Sequence, residues 1–187
     1  MTRLLESIAA VVKSFTDEEP KPPLHVGEVM MLWTALTLFQ EALAGYIVAS
    51  NTTTDPQLKH ALKNAVEGAK SDIRIVKDFL LREGVPLPPT SEPKPESNPD
   101  MVPLGVKLTD HEIANAISAK VAACISMCGT SIAQSVRTDV ALIFLQFQVQ
   151  LIKFGGPLRE MMKKRGWLII PPYYYPPGGL PEHESTP

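Results

Sequence analysis

The sequence predicts an all-α protein built as a bundle of four long helices. Apolar residues recur at spacings of three and four along four separate segments, which is the spacing of one helix face. No segment shows the strict alternation of apolar and polar residues that marks a half-buried strand. Prolines and glycines are concentrated between the four segments, so each helix has a defined start and end.

The first two helices are predicted over about residues 26–50 and 56–83. Asp55 is a suitable N-cap for the second helix, and Pro56 suits its first turn because that position needs no backbone N–H. The expected core stripe of the first helix is Val29, Trp33, Leu36, Gln40, Leu43 and Ile47, widened by Leu32, Phe39 and Tyr46. The expected core stripe of the second is Leu58, Leu62, Ala65, Ala69, Ile73, Val76 and Leu80.

The other two helices are predicted over about residues 109–136 and 138–165. Thr109 and Glu112 form a capping-box pattern at the start of the third helix. Its stripe is Ile113, Ile117, Val121, Cys124, Cys128 and Ile132, so both cysteines are expected to be buried apolar residues. The stripe of the fourth helix is Val140, Phe144, Phe147, Leu151, Phe154 and Leu158.

The connection between the second and third helices is long and rich in proline. Seven prolines lie between Val85 and Val106, and no helix tolerates that density. The order is therefore helix, short loop, helix, long crossover, helix, short loop, helix. Two antiparallel helix pairs joined by one long connection are the wiring of a ferritin-like four-helix bundle.

Two further segments flank the bundle, which we assign to residues 20–187. Residues 1–19 contain a short amphipathic helical arm, and residues 167–181 form a strap rich in proline and tyrosine. We expect Trp167 and the strap to pack back on the bundle, with Tyr173, Tyr174 and Tyr175 pointing their hydroxyls outward. The alternatives are that the strap binds a partner's aromatic groove, or that strap and arm form a subunit interface.

The composition argues against several classes of function. The chain has 18 basic and 20 acidic residues, so it lacks the positive excess that nucleic-acid binding requires. Glu6 and Lys13 interrupt any apolar core of a signal peptide. The uncharged run from Val121 to Val136 is too short and too polar for a membrane span. We therefore expect a cytoplasmic protein without a membrane span.

The usual di-metal site of a ferritin-like bundle is not predicted. That site takes Glu-x-x-His motifs from two helices, and none of the four histidines has a glutamate three residues before it. We predict no catalytic, metal or cofactor residues. One candidate polar site remains, because Glu41 is the lone charge between Val29 and Asn51. If Glu41 is buried, its possible partners are Lys120, Gln146 and Gln150; if not, it faces water or a neighbouring subunit.

Several stretches spread along the chain resemble one bacterial family. They are PLHVGEVMMLW, EGAKSDI, EGVPLPPTSE, LTDHEIANAISAK, AQSVRTDV, FLQFQ and RGWLIIPPYYYPPG. Together they are similar to the family called domain of unknown function 3231, found mainly in Bacillus and its relatives. The resemblance covers essentially the whole chain. It implies a ferritin-like fold and a distant similarity to spore-coat F-type proteins, but it implies no catalytic residues.

The resulting hypothesis is a non-catalytic structural or interaction protein, with the spore as its suggested setting. The expected partner is a second copy of the chain, as in a homodimer, or another protein. One alternative is a metal-binding or oxidoreductase-like protein with an unusual site near Glu41. A second alternative is a binder of a small molecule or lipid in the bundle core.

Overall fold

The computed structural model describes residues 21–92 and 94–174, together with Glu6 and Ala10. The helices are α1 (Val26–Ser50), α2 (Pro56–Arg82), α3 (Asp110–Gln134) and α4 (Thr138–Lys164), with a 3₁₀ turn at Pro99–Met101. Their bounds differ from the predicted ones by two residues or fewer, and the described residues contain no strand. The rest of the predicted arm, Tyr175 and the end of the strap lie outside the described residues.

Local capping signals explain where the helices begin and end. The Asp55 carboxylate accepts hydrogen bonds from the backbone N–H groups of Gln57 and Leu58, and Thr109 and Glu112 form the predicted capping box. Gly84 and Gly166, with φ of +72° and +67°, occupy the left-handed conformation that favours glycine after a helix. The cap of α1 was not predicted: it is His25, whose ring Nδ1 accepts from Gly27 and Glu28.

The four helices pack as two antiparallel pairs around one core. Most interhelical contacts join α1 to α2 and α3 to α4, and fewer join the two pairs to each other. Phe39 of α1 and Phe147 of α4 meet edge to face across the core, with ring centroids 5.1 Å apart. The buried residues form two clusters, one at each end of the bundle.

The predicted stripe of α1 was wrong in its centre. The most deeply buried line of this helix is Leu32, Ala35, Leu36, Phe39, Ala42, Tyr46 and Ala49, whereas Trp33 is 37% exposed. The predicted stripe omitted the buried alanines Ala35, Ala42 and Ala49.

The proline-rich crossover runs along the outside of the bundle and is hydrogen-bonded to α1. Ser91 donates to the Glu41 carboxylate, while Asn51 donates to the Pro95 carbonyl and accepts from the Ser97 N–H. The crossover thus leaves the end of α2, follows α1 and reaches the start of α3. The long connection that defines the ferritin-like wiring is present as predicted.

Three of the described helices carry more apolar residues than the core uses. By length and composition alone, α1, α3 and α4 are long and apolar enough to cross a membrane. The structure buries only 33%, 28% and 22% of their most apolar windows, respectively. The prediction that the chain has no membrane span considered uncharged runs only, and it stays a prediction.

Candidate functional site

Two carboxylates are buried in the bundle, and neither is the predicted Glu41. Glu28 of α1 has no exposed surface, and Asp72 of α2 is 7% exposed. A buried carboxylate costs free energy unless hydrogen bonds or a counter-charge offset the lost hydration. The surroundings of the two groups therefore indicate what each one does.

Glu28 completes the capping box of its own helix and also binds the backbone just before α4. Its Oε1 accepts hydrogen bonds from the backbone N–H groups of Val136 and Arg137 at 2.9 and 2.7 Å, directly before α4 begins. Its Oε2 accepts from the His25 N–H at 3.2 Å. A negative charge beside the start of a helix is also favoured by the helix dipole. Glu28 is fully partnered, and its role is structural.

Arg137 extends the same polar cluster to the end of α2. Its guanidinium donates two hydrogen bonds to Glu83, at 2.7 and 3.0 Å, and two to Asp139, at 3.0 and 2.7 Å. Hydrogen bonds to Asp139 and Glu83 raise the pKa of Arg137. Burial alone would raise the pKa of Asp139. The hydrogen bonds and charges of Arg137 and Lys21 together lower it by a larger amount, so the pKa lies below its ordinary value. The cluster joins the starts of α1 and α4 to the end of α2.

Asp72 lies in the middle of the bundle, between the two core clusters. Ala69 belongs to one cluster and Val76 to the other, and Asp72 comes between them on the buried face of α2. Its Oδ1 has no hydrogen-bond partner among the described residues. Burial raises the pKa of Asp72 from 3.8 to about 7. This is the one buried polar side-chain atom without a partner in the described part of the chain.

Burial favours the uncharged form of the groups around Asp72 as well. Burial, with smaller effects from Cys124 and Asp72, raises the pKa of Tyr46 to about 12. Burial raises the pKa of Cys124, and burial with the charges of Cys124 and Asp72 raises that of Cys128 to about 12. Both cysteines are free thiols, as predicted. A thiol with a raised pKa is a poor nucleophile and a poor metal ligand.

A cavity of about 80 Å³ opens beside Asp72. Its walls are mostly apolar, with Phe39, Tyr46, Cys124 and Leu151 contributing. On the outside, a groove of about 830 Å³ runs between α2 and α4 towards Pro56 and Lys164. The cavity and the groove share lining residues Asn64, Gly68, Gln150 and Phe154. The groove therefore adjoins the cavity that Asp72 lines.

The predicted polar site around Glu41 is not formed. Glu41 is exposed and accepts a hydrogen bond from Ser91 of the crossover. Gln146 is exposed as well, and Lys120 places its Nζ 5.7 Å from the centre of the Tyr46 ring. Gln150 alone among the four residues lines the cavity. The sequence left open whether Glu41 is buried or faces outward, and the structure shows the outward orientation, with the inward face of α1 filled by other residues.

A signal for Asp72 was present in the sequence. Leu58, Leu62, Ala65, Ala69 and Val76 define the stripe of α2, and position 72 falls on it at the helical spacing. A carboxylate on an apolar stripe is more informative than a carboxylate isolated in a uniformly apolar helix. Glu28 had no signal for its bonds to Val136 and Arg137, because these partners lie more than 100 residues away; its one near partner is His25.

The C-terminal strap packs on the bundle only at its start. Trp167 and Leu168 are half-buried against the core, and the Trp167 carbonyl accepts from Asn115 at 2.9 Å. Beyond them, Tyr173 and Tyr174 are 72% and 83% exposed. The predicted packing of the strap on the bundle is seen for Trp167 and Leu168, and the role of Tyr173 and Tyr174 stays a prediction.

The described residues contain no group of three or more histidine, cysteine, aspartate or glutamate side chains placed to hold a metal ion. His25 caps α1, while His60 lies at the outer groove near Asn64. The geometry at Asp72 is one acid in an apolar cavity. Such a site can bind a complementary group, but it presents no nucleophile with a base to activate it.

Comparison with known proteins places the fold. Over 83% of this chain and 98% of the other, the structure matches a candidate spore coat protein from Bacillus halodurans, with 36% identity and a TM-score of 0.81. It also matches a two-domain protein from Anabaena variabilis that contains a DJ-1-like and a ferritin-like domain. That match has 16% identity and a TM-score of 0.59 over 82% of this chain and 41% of that one. The fold is an all-α, ferritin-like four-helix bundle.

The sequence comparisons agree with the structural one. The chain is 32% identical to the uncharacterised protein YvdQ of Bacillus subtilis over 152 residues, which is 81% of this chain and 89% of YvdQ. A family model described as protein of unknown function, DUF3231, matches residues 14–180. The chain therefore belongs to the DUF3231 family, as its sequence motifs predicted.

Proposed function

We propose that the chain is a non-catalytic structural protein of the bacterial spore, which assembles with itself or with other proteins. The observation that carries the proposal is its similarity to the candidate spore coat protein, which extends over nearly all of that protein's length. The geometry supports an assembly role, because a large part of the apolar surface is not used by the core. The two parts of this surface are the outer face of α1 and the exposed strap.

The outer face of α1 is apolar where a solvated helix would be charged. Val26, Met30, Trp33 and Val48 lie along one side at helical spacing and are 83%, 60%, 37% and 45% exposed. Glu41 is the charged residue on this side. Exposed apolar patches rimmed by polar residues mark interaction sites. We therefore assign this face to contact with another protein.

The strap offers a second contact surface. Ile169, Ile170, Tyr173 and Tyr174 are 73%, 49%, 72% and 83% exposed, directly after the half-buried Trp167. Tyrosines and a proline-fixed backbone lose little conformational entropy on binding, which favours their use at interfaces. The predicted interface role of Trp167, Tyr173, Tyr174 and Tyr175 is part of this proposal.

The test follows the full chain in a sporulating Bacillus host, with antibody detection in washed spores and in the mother-cell fraction. Sedimentation velocity of the purified protein measures self-association in parallel. We expect the chain in washed spores, as complexes that detergent and reducing agent do not readily extract. The double variant Val26→Glu, Met30→Glu should lose assembly, because two charges on the outer face oppose burial.

The matched control is Lys63→Glu, Lys70→Glu, which alters exposed charges on α2 and should assemble like the original chain. Equal helicity of both variants by circular dichroism shows that the bundle is intact. The proposal would be overturned if the original chain is absent from spores and the purified protein sediments as a monomer at every concentration. Recovery with membranes instead of coat complexes would also overturn it and assign the apolar faces of α1, α3 and α4 to lipid.

The two alternatives from the sequence now differ in their support. A metal or oxidoreductase site near Glu41 loses its basis, because Glu41 is exposed and bonded to the crossover. A small-molecule site in the bundle core gains a specific observation, namely the cavity and the unpartnered acid at Asp72.

A further inference from the structure

The cavity at Asp72 has the features of a binding site rather than of a packing defect. A packing defect in a bundle core is lined by apolar groups and stays dry. This cavity is instead lined by Asp72, which is 93% buried and has one carboxyl oxygen without a partner among the described residues. It adjoins an outer groove, with which it shares the lining residues Asn64, Gly68, Gln150 and Phe154. A ligand with its head in the cavity beside the acid can therefore place its body in the groove.

The charge of the site selects a cation. Asp72 is the acid of the cavity, and its neighbours Tyr46 and Cys124 carry no positive charge. The cation nearest to these neighbours, Lys120, lies over the Tyr46 ring. A ligand that donates charge-assisted hydrogen bonds to Asp72 would supply the missing partner. A neutral donor would make a weaker hydrogen bond to the acid than a cation would, and an anion would be repelled by the ionised carboxylate.

The donor set favours an ammonium group over a metal ion. A metal ion needs three or more ligands, and no such cluster of histidine, cysteine and carboxylate groups occurs among the described residues. An ammonium group needs only one carboxylate and a small space. The volume of about 80 Å³ fits an ammonium head with a short stem, since one water occupies about 30 Å³ of liquid.

The groove determines the rest of the ligand. Ala61, Phe154, Pro157, Leu158 and Met161 give it an apolar floor that suits a hydrocarbon body. Lys153 and Lys164 lie on its lining together with Glu160, so the net formal charge of the three is positive. A second ammonium at the outer end of the ligand would be repelled there.

We propose that the bundle binds a primary amine with a single cationic head at Asp72 and an apolar chain in the groove between α2 and α4.

The experiment is isothermal titration calorimetry on the full chain with n-hexylammonium chloride as the probe. n-Hexanol tests the need for charge, and 1,6-diammoniohexane tests the exclusion of a second cation. We expect saturable binding of one hexylammonium per chain. The diamine and the alcohol should each bind at least roughly tenfold more weakly, which is the size expected for losing one charge-assisted hydrogen bond.

Three variants locate the site. Asp72→Asn keeps the shape and should weaken binding at least roughly tenfold. Gly68→Leu should fill the space that the cavity and the groove share, one helical turn from Asp72, and it should fold because a Cβ at Gly68 meets nothing within 4 Å. Asp78→Asn removes an exposed acid from the same helix and should bind like the original chain. Carbon-13 NMR of the Asp72 carboxyl should shift on binding, because that carboxyl contacts the ammonium.

The proposal is overturned if hexylammonium does not bind, or if Asp72→Asn and Gly68→Leu bind it as well as the original chain. Equal binding of hexanol would also overturn it, because the site would then recognise the hydrocarbon and not the charge. A divalent metal that binds stoichiometrically and is lost in Asp72→Asn would replace the amine with a metal site. These outcomes are independent of spore localisation.

Discussion

Glu28 and Asp72 are both buried carboxylates, and their surroundings are opposite. Glu28 accepts three backbone hydrogen bonds at the junction of α1 and α4, so folding offsets the loss of its hydration. Asp72 lies in the middle of the core with an oxygen that has no described partner. One group holds the fold together and the other weakens it. A destabilising group without a structural role is a candidate for function, so Asp72 is the functional candidate of the two carboxylates.

The largest effect is expected at Glu28. Glu28→Ala leaves the N–H groups of His25, Val136 and Arg137 without their acceptor and should lower the free energy of unfolding by about 3–5 kcal/mol. Urea unfolding followed by circular dichroism measures it. Glu67→Ala, which removes an exposed glutamate paired with Lys70, should change stability by less than about 0.5 kcal/mol. Equal effects for the two variants would contradict the capping role.

At Asp72 the expected change has the opposite sign and depends on pH. Since the pKa is raised from 3.8 to about 7, the native state holds a proton that the unfolded state releases. The contribution of protonated Asp72 to stability is therefore fully present below about pH 4 and is lost as the pH rises through about 7. Asp72→Asn cannot titrate, so it should be more stable than the original chain at about pH 8 by roughly 2–4 kcal/mol.

Urea titrations of both proteins at about pH 5 and about pH 8 measure this difference, and other titrating groups cancel in the comparison. A stability difference that does not grow with pH would show that Asp72 is partnered in solution. The stability contributed by the polar cluster around Glu28 and Arg137 should depend on pH in the other direction. Because the pKa of Asp139 is lowered, its contribution is present above its ordinary pKa and lost as the pH falls through its folded value.

A smaller effect is expected at Arg137. Arg137→Met removes the paired hydrogen bonds to Glu83 and Asp139, but these two side chains keep 27% and 25% of their surface exposed and can be hydrated. We expect a loss of about 2 kcal/mol. In a double-mutant cycle, Glu83→Gln should cost much less in the Arg137→Met background than alone. Additive costs would show that the ion pair contributes nothing.

The smallest effect is a gain at Gly68. An alanine Cβ at this position meets nothing within 4 Å, and alanine favours helix over glycine by about 0.5–1 kcal/mol. Gly68→Ala should therefore raise the free energy of unfolding by about that amount. Gly155→Ala is the matched control, because its Cβ would lie 3.3 Å from Val121 Cγ1 and the gain should shrink or reverse. A loss of stability in Gly68→Ala would contradict the open space around this position.

The sequence was sufficient for features that depend on near neighbours. Asp55, Thr109 and Gly84 are signals within a few residues of the helix ends that they define, and the helix bounds followed from them. The face of α2 that points to the core was also predictable, because the basic residues lie away from its apolar stripe. Position 72 could have been identified on that stripe.

The rotation of α1 could not be predicted in this way. This helix is apolar on almost every side, so the pattern gives no preferred face and left open whether Glu41 lies inside or outside. Its orientation depends on packing against Phe147 and on Glu28 reaching Val136 and Arg137. These contacts join residues more than 100 positions apart, and a local sequence pattern cannot predict them.

The crossover has a consequence for how two copies of this chain can combine. It is the sole covalent link between the α1–α2 pair and the α3–α4 pair, and it lies outside the core along α1. The first pair of one chain and the second pair of another would form the same core and the same Asp72 cavity. At high concentration the chains can therefore exchange halves and form an intertwined dimer. By the same reasoning, cutting the crossover should leave two fragments that reassemble without a covalent bond.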